Sequence, residues 1–306
     1  MPDIIQKAII DNQITVLAVN STATVNRAIK LHDLSPVAAA ALGRTLTVAA
    51  LMANSFKNPT DYLTAVVSGN GPLGSITACA DGKGNVKGCV DNNAVDNALR
   101  EDGHLDVGGA VGKVGKITVI KNIGLKQPYV GTCNLITGEI AEDFANYFYI
   151  SEQQPCALSL GVKLQKGKCI AGGGLLVQVL PQCSEELLDE VEKRAGRIGE
   201  ISTQLQEKPD PKDVIESIFG DMDNVVYTEP STIKYKCDCS MARIKKLVVS
   251  LGKKEAHDIV AEQGFIEVQC HFCGKKYRLD EQAVNQLFED KKSRKSKTTD
   301  SSDESK

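Results

Sequence analysis

Apolar positions along this chain fall into short β-branched runs, one long unbroken run, and stretches spaced by three and four. "ITVLAVN" (14–20), "YLTAVVS" (62–68), "KITVIKN" (116–122) and "GLLVQVLP" (174–181) predict strands. "SITACAD" and "NVKGCVD" flank Gly82-Lys83-Gly84 and predict a β-hairpin. A helical stretch is expected over Thr22–His32. The run "SPVAAAALGRTLTVAALMANSF", Ser35 to Phe56, is about long enough to span a bilayer. Arg44 sits near its centre beside Thr45 and Thr47, which is costly in lipid, so a buried core helix is expected. Ser35 is its expected N-cap and Pro36 its first residue.

After Pro181 the pattern becomes helical and charged. Leu187, Leu188, Val191, Ala195, Ile198, Ile201 and Leu205 recur at steps of three and four and predict one amphipathic helix. Ser184 is its expected cap, Glu185 and Glu186 suit its positive end, and Gly196 and Gly199 weaken its middle. A second helix follows, with Asp210 as cap, Pro211 first and Gly220 as stop; Val214, Ile215, Ile218 and Phe219 form its apolar face. Such stripes are marginal alone and must lie on something. The plain expectation is a helical linker docked on the first domain; the sharper one is a segment that can undock. The tail "KKSRKSKTTDSSDESK" is low in complexity and expected to be disordered.

The expected organisation is a mixed α/β core with β-sheets and a buried helix over 1–180, a helical linker over 181–232, a small α+β zinc-binding module over 233–290 and a tail over 291–306. A chain of 306 residues with 42% hydrophobic residues can build this. A net charge of −3 gives no general attraction to nucleic acid or anionic membrane, and the absence of Trp with 5% aromatics disfavours base stacking. "MPDIIQKAII" reads as no signal peptide.

Two motifs fail on context. "GNGPLG", Gly69 to Gly74, matches G-x-G-x-x-G, yet contains Pro72 and leads into a strand where a dinucleotide turn must open a helix. Gly112-Lys113 and Gly167-Lys168 lack the following Ser or Thr of a phosphate-binding loop, which disfavours ATP-driven function.

Ten cysteines are present. Cys79, Cys89, Cys133, Cys156, Cys169 and Cys183 are scattered, without metal-ligand spacing, and are expected to be reduced, mostly buried small hydrophobes. Cys237 and Cys239 form C-x-C; Cys270 and Cys273 form C-x-x-C with Gly274 after it, between the strand-like "FIEVQ" and "KKYRL". Two close pairs from distant segments predict a closed tetrahedral site for one zinc per chain, with no open position for catalysis. Ser240 is the expected cap of the helical stretch that follows, His271 lies inside a complete Cys₂ turn and is not expected to ligate, and His257 reads as an ordinary histidine. Two functions remain open on the residues. One is a structural zinc module that binds something such as RNA, with Lys275, Lys276 and Arg278 in support. The other is a thiol redox switch, since zinc-bound thiolates remain nucleophilic and oxidisable.

These residues, with "AALGRTLTVAALM", "GNGPLGSITACADGKGNVKGCVDN", "GEIAEDFANYFYISEQQPCALSLGV" and "AGGGLLVQVLP", resemble the redox-regulated 33-kDa heat-shock chaperones over nearly all of residues 1–290. Cys156 departs from that pattern, where a small polar residue is usual. The resemblance implies a cytoplasmic, ATP-independent holdase and no enzyme. Reduced and zinc-bound, it would be largely inactive. Oxidation would form Cys237–Cys239 and Cys270–Cys273, release zinc and unfold module and linker. The protein would then bind unfolding clients as a homodimer, without nucleic acid or membrane.

Overall fold

The computed structural model describes residues 2–96, 99–181, 183–196, 198 and 200–296. The chain divides into two compact units, Met1–Lys236 and Cys237–Lys306.

The first unit runs β1 (Asp3–Ile10), β2 (Ile14–Asn20), α1 (Thr22–His32), α2 (Pro36–Ala53), β3 (Tyr62–Gly69), β4 (Ser75–Asp81), β5 (Asn85–Val90), α3 (Val107–Val111), β6 (Gly115–Asn122), β7 (Tyr129–Asn134), α4 (Ala141–Ser151), β8 (Cys156–Gln165) and β9 (Lys168–Val179). It continues through α5 (Glu185–Ala195), α6 (Ile201–Glu207), α7 (Pro211–Phe219), β10 (Val225–Tyr227) and β11 (Ser231–Tyr235). The strands follow the order β7-β6-β3-β4-β5-β11-β1-β2-β9-β8, with β10 on the flank of β1. All pairings are antiparallel except that of β11 with β5. The stretch Asp3–Ile10 near the start of the chain is the inner strand β1.

The long apolar run is α2, and 89% of it is buried. It packs on β3, β4 and β5 and also on β8 and β9. Arg44 is satisfied there: one Nη donates to Glu139 Oε2 at 2.8 Å and to the Glu139 carbonyl at 3.1 Å. Thr45 and Thr47 turn their hydroxyls back to the Ala41 and Gly43 carbonyls, which removes their polarity from the core. Ser35 occupies the N-cap position but makes no cap hydrogen bond, so Pro36 alone marks this start as expected.

"GNGPLG" is a tight connection between β3 and β4. No helix follows it, so no dipole faces a phosphate. Its glycines serve close backbone approach: a Cβ on Gly71 would lie 2.3 Å from the Ala110 carbonyl oxygen. Gly71→Ala is expected to cost about 2–4 kcal/mol, since backbone rather than a side chain must yield. An unchanged urea midpoint would refute that close approach.

The charged segment after Pro181 lies within the first unit. One long helix was expected, but the chain breaks it into α5 and α6. Gly196 is the C-cap of α5 and so ends the helix rather than weakening its middle. Gly199 falls outside the described residues. Ser184 caps α5 through Leu187 N–H, Asp210 caps α7 through Lys212 N–H, and Gly220 closes α7. The stripes bury Val191, Ile198, Ile201, Leu205, Val214, Ile215 and Phe219 against Ile10, Ile14, Val16, Ala18, Leu175 and Val177 of the sheet. The alternate residues Leu17, Val19 and Leu176 face the opposite core, which contains α2. Both faces of β2 are therefore covered, which explains why its sequence is continuously apolar.

The second unit contains α8 (Met241–Leu251), α9 (Lys253–Gln263), β12 (Phe265–Gln269), β13 (Lys276–Asp280) and α10 (Glu281–Ser296). Its core is small: Ile244, Val248, Ala256, Val260, Ile266, Tyr277, Leu279 and Val284. Helix α10 continues through 291–296, the start of the segment expected to be disordered; the rest of that tail lies outside the described residues.

Candidate metal centre

β12 and β13 pair antiparallel, and Gln269 stands opposite Lys276, so Cys270 to Lys275 form the tip of a hairpin. The tip folds back on itself: Cys270 N–H donates to the Lys275 carbonyl at 2.9 Å, and Gly274 N–H donates to the Cys270 carbonyl at 2.8 Å. Gly274 has φ 69°, a left-handed conformation that a side chain would strain, so the glycine after C-x-x-C is a requirement of the turn. The C-x-C pair comes from extended chain ahead of α8. Ser240 caps α8 by accepting from Arg243 N–H, and the Arg243 guanidinium pairs with Asp238, between the two cysteines. The helix start thus fixes the segment that presents Cys237 and Cys239.

The four sulfurs lie within 4.8 Å of one another. Cys237 Sγ is 3.6 Å from Cys270 Sγ, and Cys239 Sγ is 3.4 Å from Cys273 Sγ, so each pair reaches across to the other. A tetrahedral zinc with arms of about 2.3 Å has sulfur–sulfur edges of about 3.8 Å. These separations fit that cage and are far from the roughly 2.05 Å of a disulfide; all four thiols are free. The donor set is soft and closed, as zinc favours. His271 is exposed and outside the cluster. His257 sits on α9 with its ring tilted against Phe288 at 6.2 Å, a packing role.

Proton affinities within the cluster are split. Burial raises the Cys237 thiol, offset in part by the Cys239 backbone N–H. Burial also raises Cys273. At Cys239 burial acts the same way but is outweighed by hydrogen bonds from the Tyr277 hydroxyl and the other thiols, and the thiol falls to about 7. Tyr277 donates to Cys239 Sγ at 3.1 Å, and that bond pushes the phenol up to about 12. Tyr277 was missed in the sequence, though its signal is there: with Leu279 it forms the inward alternate set of β13.

The other six cysteines are not all as buried as expected. Cys133 and Cys169 are buried; Cys79, Cys89, Cys156 and Cys183 are only partly so, because most lie on strand faces or chain ends away from the centre of the core. Burial pushes the Cys156 and Cys169 thiols up to about 12, Cys156 further through Glu152 and Cys169 through Asp3. Both are poor nucleophiles. None of the six joins the metal-sized cluster.

Known proteins resemble this chain over nearly its whole length. The chain matches the family described as Hsp33 protein over residues 3–280. It is 44% identical over 292 residues to a 33 kDa chaperonin from Caldanaerobacter subterraneus subsp. tengcongensis, covering 95% of this chain and 99% of that one. It is 44% identical over 286 residues to a 33 kDa chaperonin from a Thermoanaerobacter species, covering 93% and 97%. The crystal structure of a 33 kDa chaperonin from Thermotoga maritima superimposes with a TM-score of 0.86 at 34% identity, covering 95% of this chain and 98% of that one. By fold, by the cysteine cluster and by sequence, this chain belongs to the Hsp33 family of chaperones.

Proposed function

We propose that this protein is a redox-regulated, ATP-independent holdase of the cytosol, in which Cys237, Cys239, Cys270 and Cys273 hold one zinc when reduced. The observation that carries the reading is the pairing of a four-thiol cage with a helical segment whose apolar stripes cover one sheet face. Zinc bound there would tie the C-x-C strand to the hairpin and hold the small second unit folded.

Oxidation removes that tie. Each thiolate pair gives up two electrons to hydrogen peroxide, which takes two protons from solvent and is reduced to two waters, and one S–S bond forms as the pair leaves the metal. Bridges within the pairs, Cys237–Cys239 and Cys270–Cys273, need the least further loop closure. Disulfide sulfurs are no longer thiolate ligands. The second unit then lacks its staple, and the linker over 181–232 becomes the metastable element. Its helices α5, α6 and α7 have 11, 7 and 9 residues, below the roughly 12–15 at which an isolated helix becomes even marginal in water. Undocking would bare Ile14, Val16, Ala18, Leu175 and Val177 together with the linker's own apolar face, a surface suited to unfolding clients. The active form is proposed as a homodimer.

The test measures zinc content and suppression of client aggregation on one sample, before and after peroxide, with peptide mapping of the bridges. One zinc per chain and little holdase activity are expected before; zinc loss, the two local bridges and activity are expected after. A dominant Cys239–Cys270 bridge, or one to Cys156, would count against the switch. An RNA-binding reading finds less support in the structure: Lys276 is paired with Glu267 at 2.9 Å, Arg278 stacks 3.2 Å above the Phe265 ring, and Lys275 lies 5.1 Å over Tyr277.

A further inference from the structure

We propose that the groove between α2, the β8–β9 hairpin and the loop ahead of α3 is a binding site for phosphate-type anions, filled from within by the linker carboxylate Glu200, so that a bound anion and the docked linker compete. The groove encloses about 530 Å³. Arg44, Arg100, Lys163 and Lys166 line it with His104, against only two carboxylates, Asp102 and Glu200. The whole chain carries a net charge of −3, so this concentration of cations is local and built.

Part of that charge is already balanced. Glu139 takes Arg44 at 2.8 Å and Arg100 at 3.4 Å, and Asp102 takes Arg100 at 2.6 Å. The remaining cationic side chains line the groove. The Nε of Arg44 is buried with no hydrogen-bond partner. Lys163 has only a 3.5 Å contact to Thr203 Oγ1, and Lys166, at φ 50° in the hairpin tip, makes no ion pair among the described residues. Glu200 behaves as a tethered anion at this site: its Oε1 is 2.8 Å from His104 Nε2, and His104 Nδ1 is 3.1 Å from Asp102.

The tether is weak. The side chains of His104 and Glu200 are 60% and 57% exposed, and a polar contact in so exposed a position contributes little. A ligand carrying several negative charges, and able to meet two lysines together, outcompetes a single exposed carboxylate. Glu200 stands at the N-cap position of α6 without a side-chain cap bond, but its Oε2 accepts from the Thr203 hydroxyl of α6 at 3.1 Å, and Ile201 beside it is buried on the sheet. Displacing Glu200 therefore loosens the start of α6, and by reciprocity a docked linker weakens the anion. The coupling half of this proposal rests on the linker acting as the switch.

The experiment titrates reduced, zinc-loaded protein with pyrophosphate by calorimetry and follows α6 by hydrogen exchange. Pyrophosphate is expected to bind and to speed exchange in α6. Lys163→Gln/Lys166→Gln should weaken binding about tenfold or more, and Glu200→Gln should tighten it several-fold because the internal competitor is neutralised. No binding to the wild type, or equal affinity in the double variant, overturns the site. Unchanged or weaker binding in Glu200→Gln overturns the competition. If these results hold while oxidised protein fails to keep clients soluble, the site stands and the holdase reading falls. If oxidation activates the protein but pyrophosphate does not bind, the reverse follows.

Discussion

Chelating zinc from the reduced protein will unfold the second unit and leave the sheet of the first unit folded. The magnitudes set this outcome. Structural zinc contributes about 10–16 kcal/mol in finger-sized units. A whole small domain has a net stability of about 5–15 kcal/mol, and a chain of this size rarely reaches the upper part of that range on its core alone. Among its described residues the second unit has just eight buried core residues and one two-stranded sheet. Without the metal its remaining contacts do not offset the entropy of ordering. Cys270→Ser should behave likewise, because it removes one corner of the cage and breaks the hairpin tip's side of the tie. Hydrogen exchange resolves the two units: amides of β12, β13 and α8 should lose protection, while β2 and β9 keep theirs. Full-affinity zinc in Cys270→Ser, or a protected second unit after chelation, would rule out the four-cysteine assignment.

Placing charge at Ile198 and Ile201 should free the linker without any oxidation. Both side chains are buried, at 5% and 1% exposure, against the sheet face that carries Ile14, Val16 and Leu175. Apolar burial is worth about 1.5–3 kcal/mol for each large side chain, and a buried charge adds its own desolvation cost. The double substitution to Glu therefore removes several kcal/mol from a segment whose helices are too short to stand alone. The reduced, zinc-loaded variant should partly suppress client aggregation, with fast exchange in α5–α7 and a protected sheet. A variant that loses linker protection yet stays inactive until oxidised would show that undocking is not the switch, and that the oxidised second unit itself makes the client surface.

The elements nearest the site were the most legible in the sequence. Cys270-x-x-Cys273-Gly274 between two apolar runs specifies a hairpin tip, because the glycine must take a positive φ and the flanking runs alternate. Ser184, Asp210 and Ser240 were readable as caps because each needs only its own side chain and the N–H groups just after it. Ser35 looked identical and takes the N-cap position, yet its hydroxyl makes no cap bond and is buried without a partner. The break between α5 and α6 was not legible. The apolar spacing runs straight through Gly196, and only the shape of the sheet beneath decides that the helix must end and restart.

The sequence alone singled out the four cysteines that the fold gathers, the turn that presents two of them and the buried nature of the Arg44-containing helix. Each of those follows from local spacing and composition, which act over a few residues. The tertiary structure alone decided which sheet face the linker covers, that Tyr277 meets Cys239, and that Glu200 returns to a cationic groove. The last two contacts join residues 38 and 96 positions apart. Local spacing carries no record of such pairs; the packing of both sheet faces brings them together.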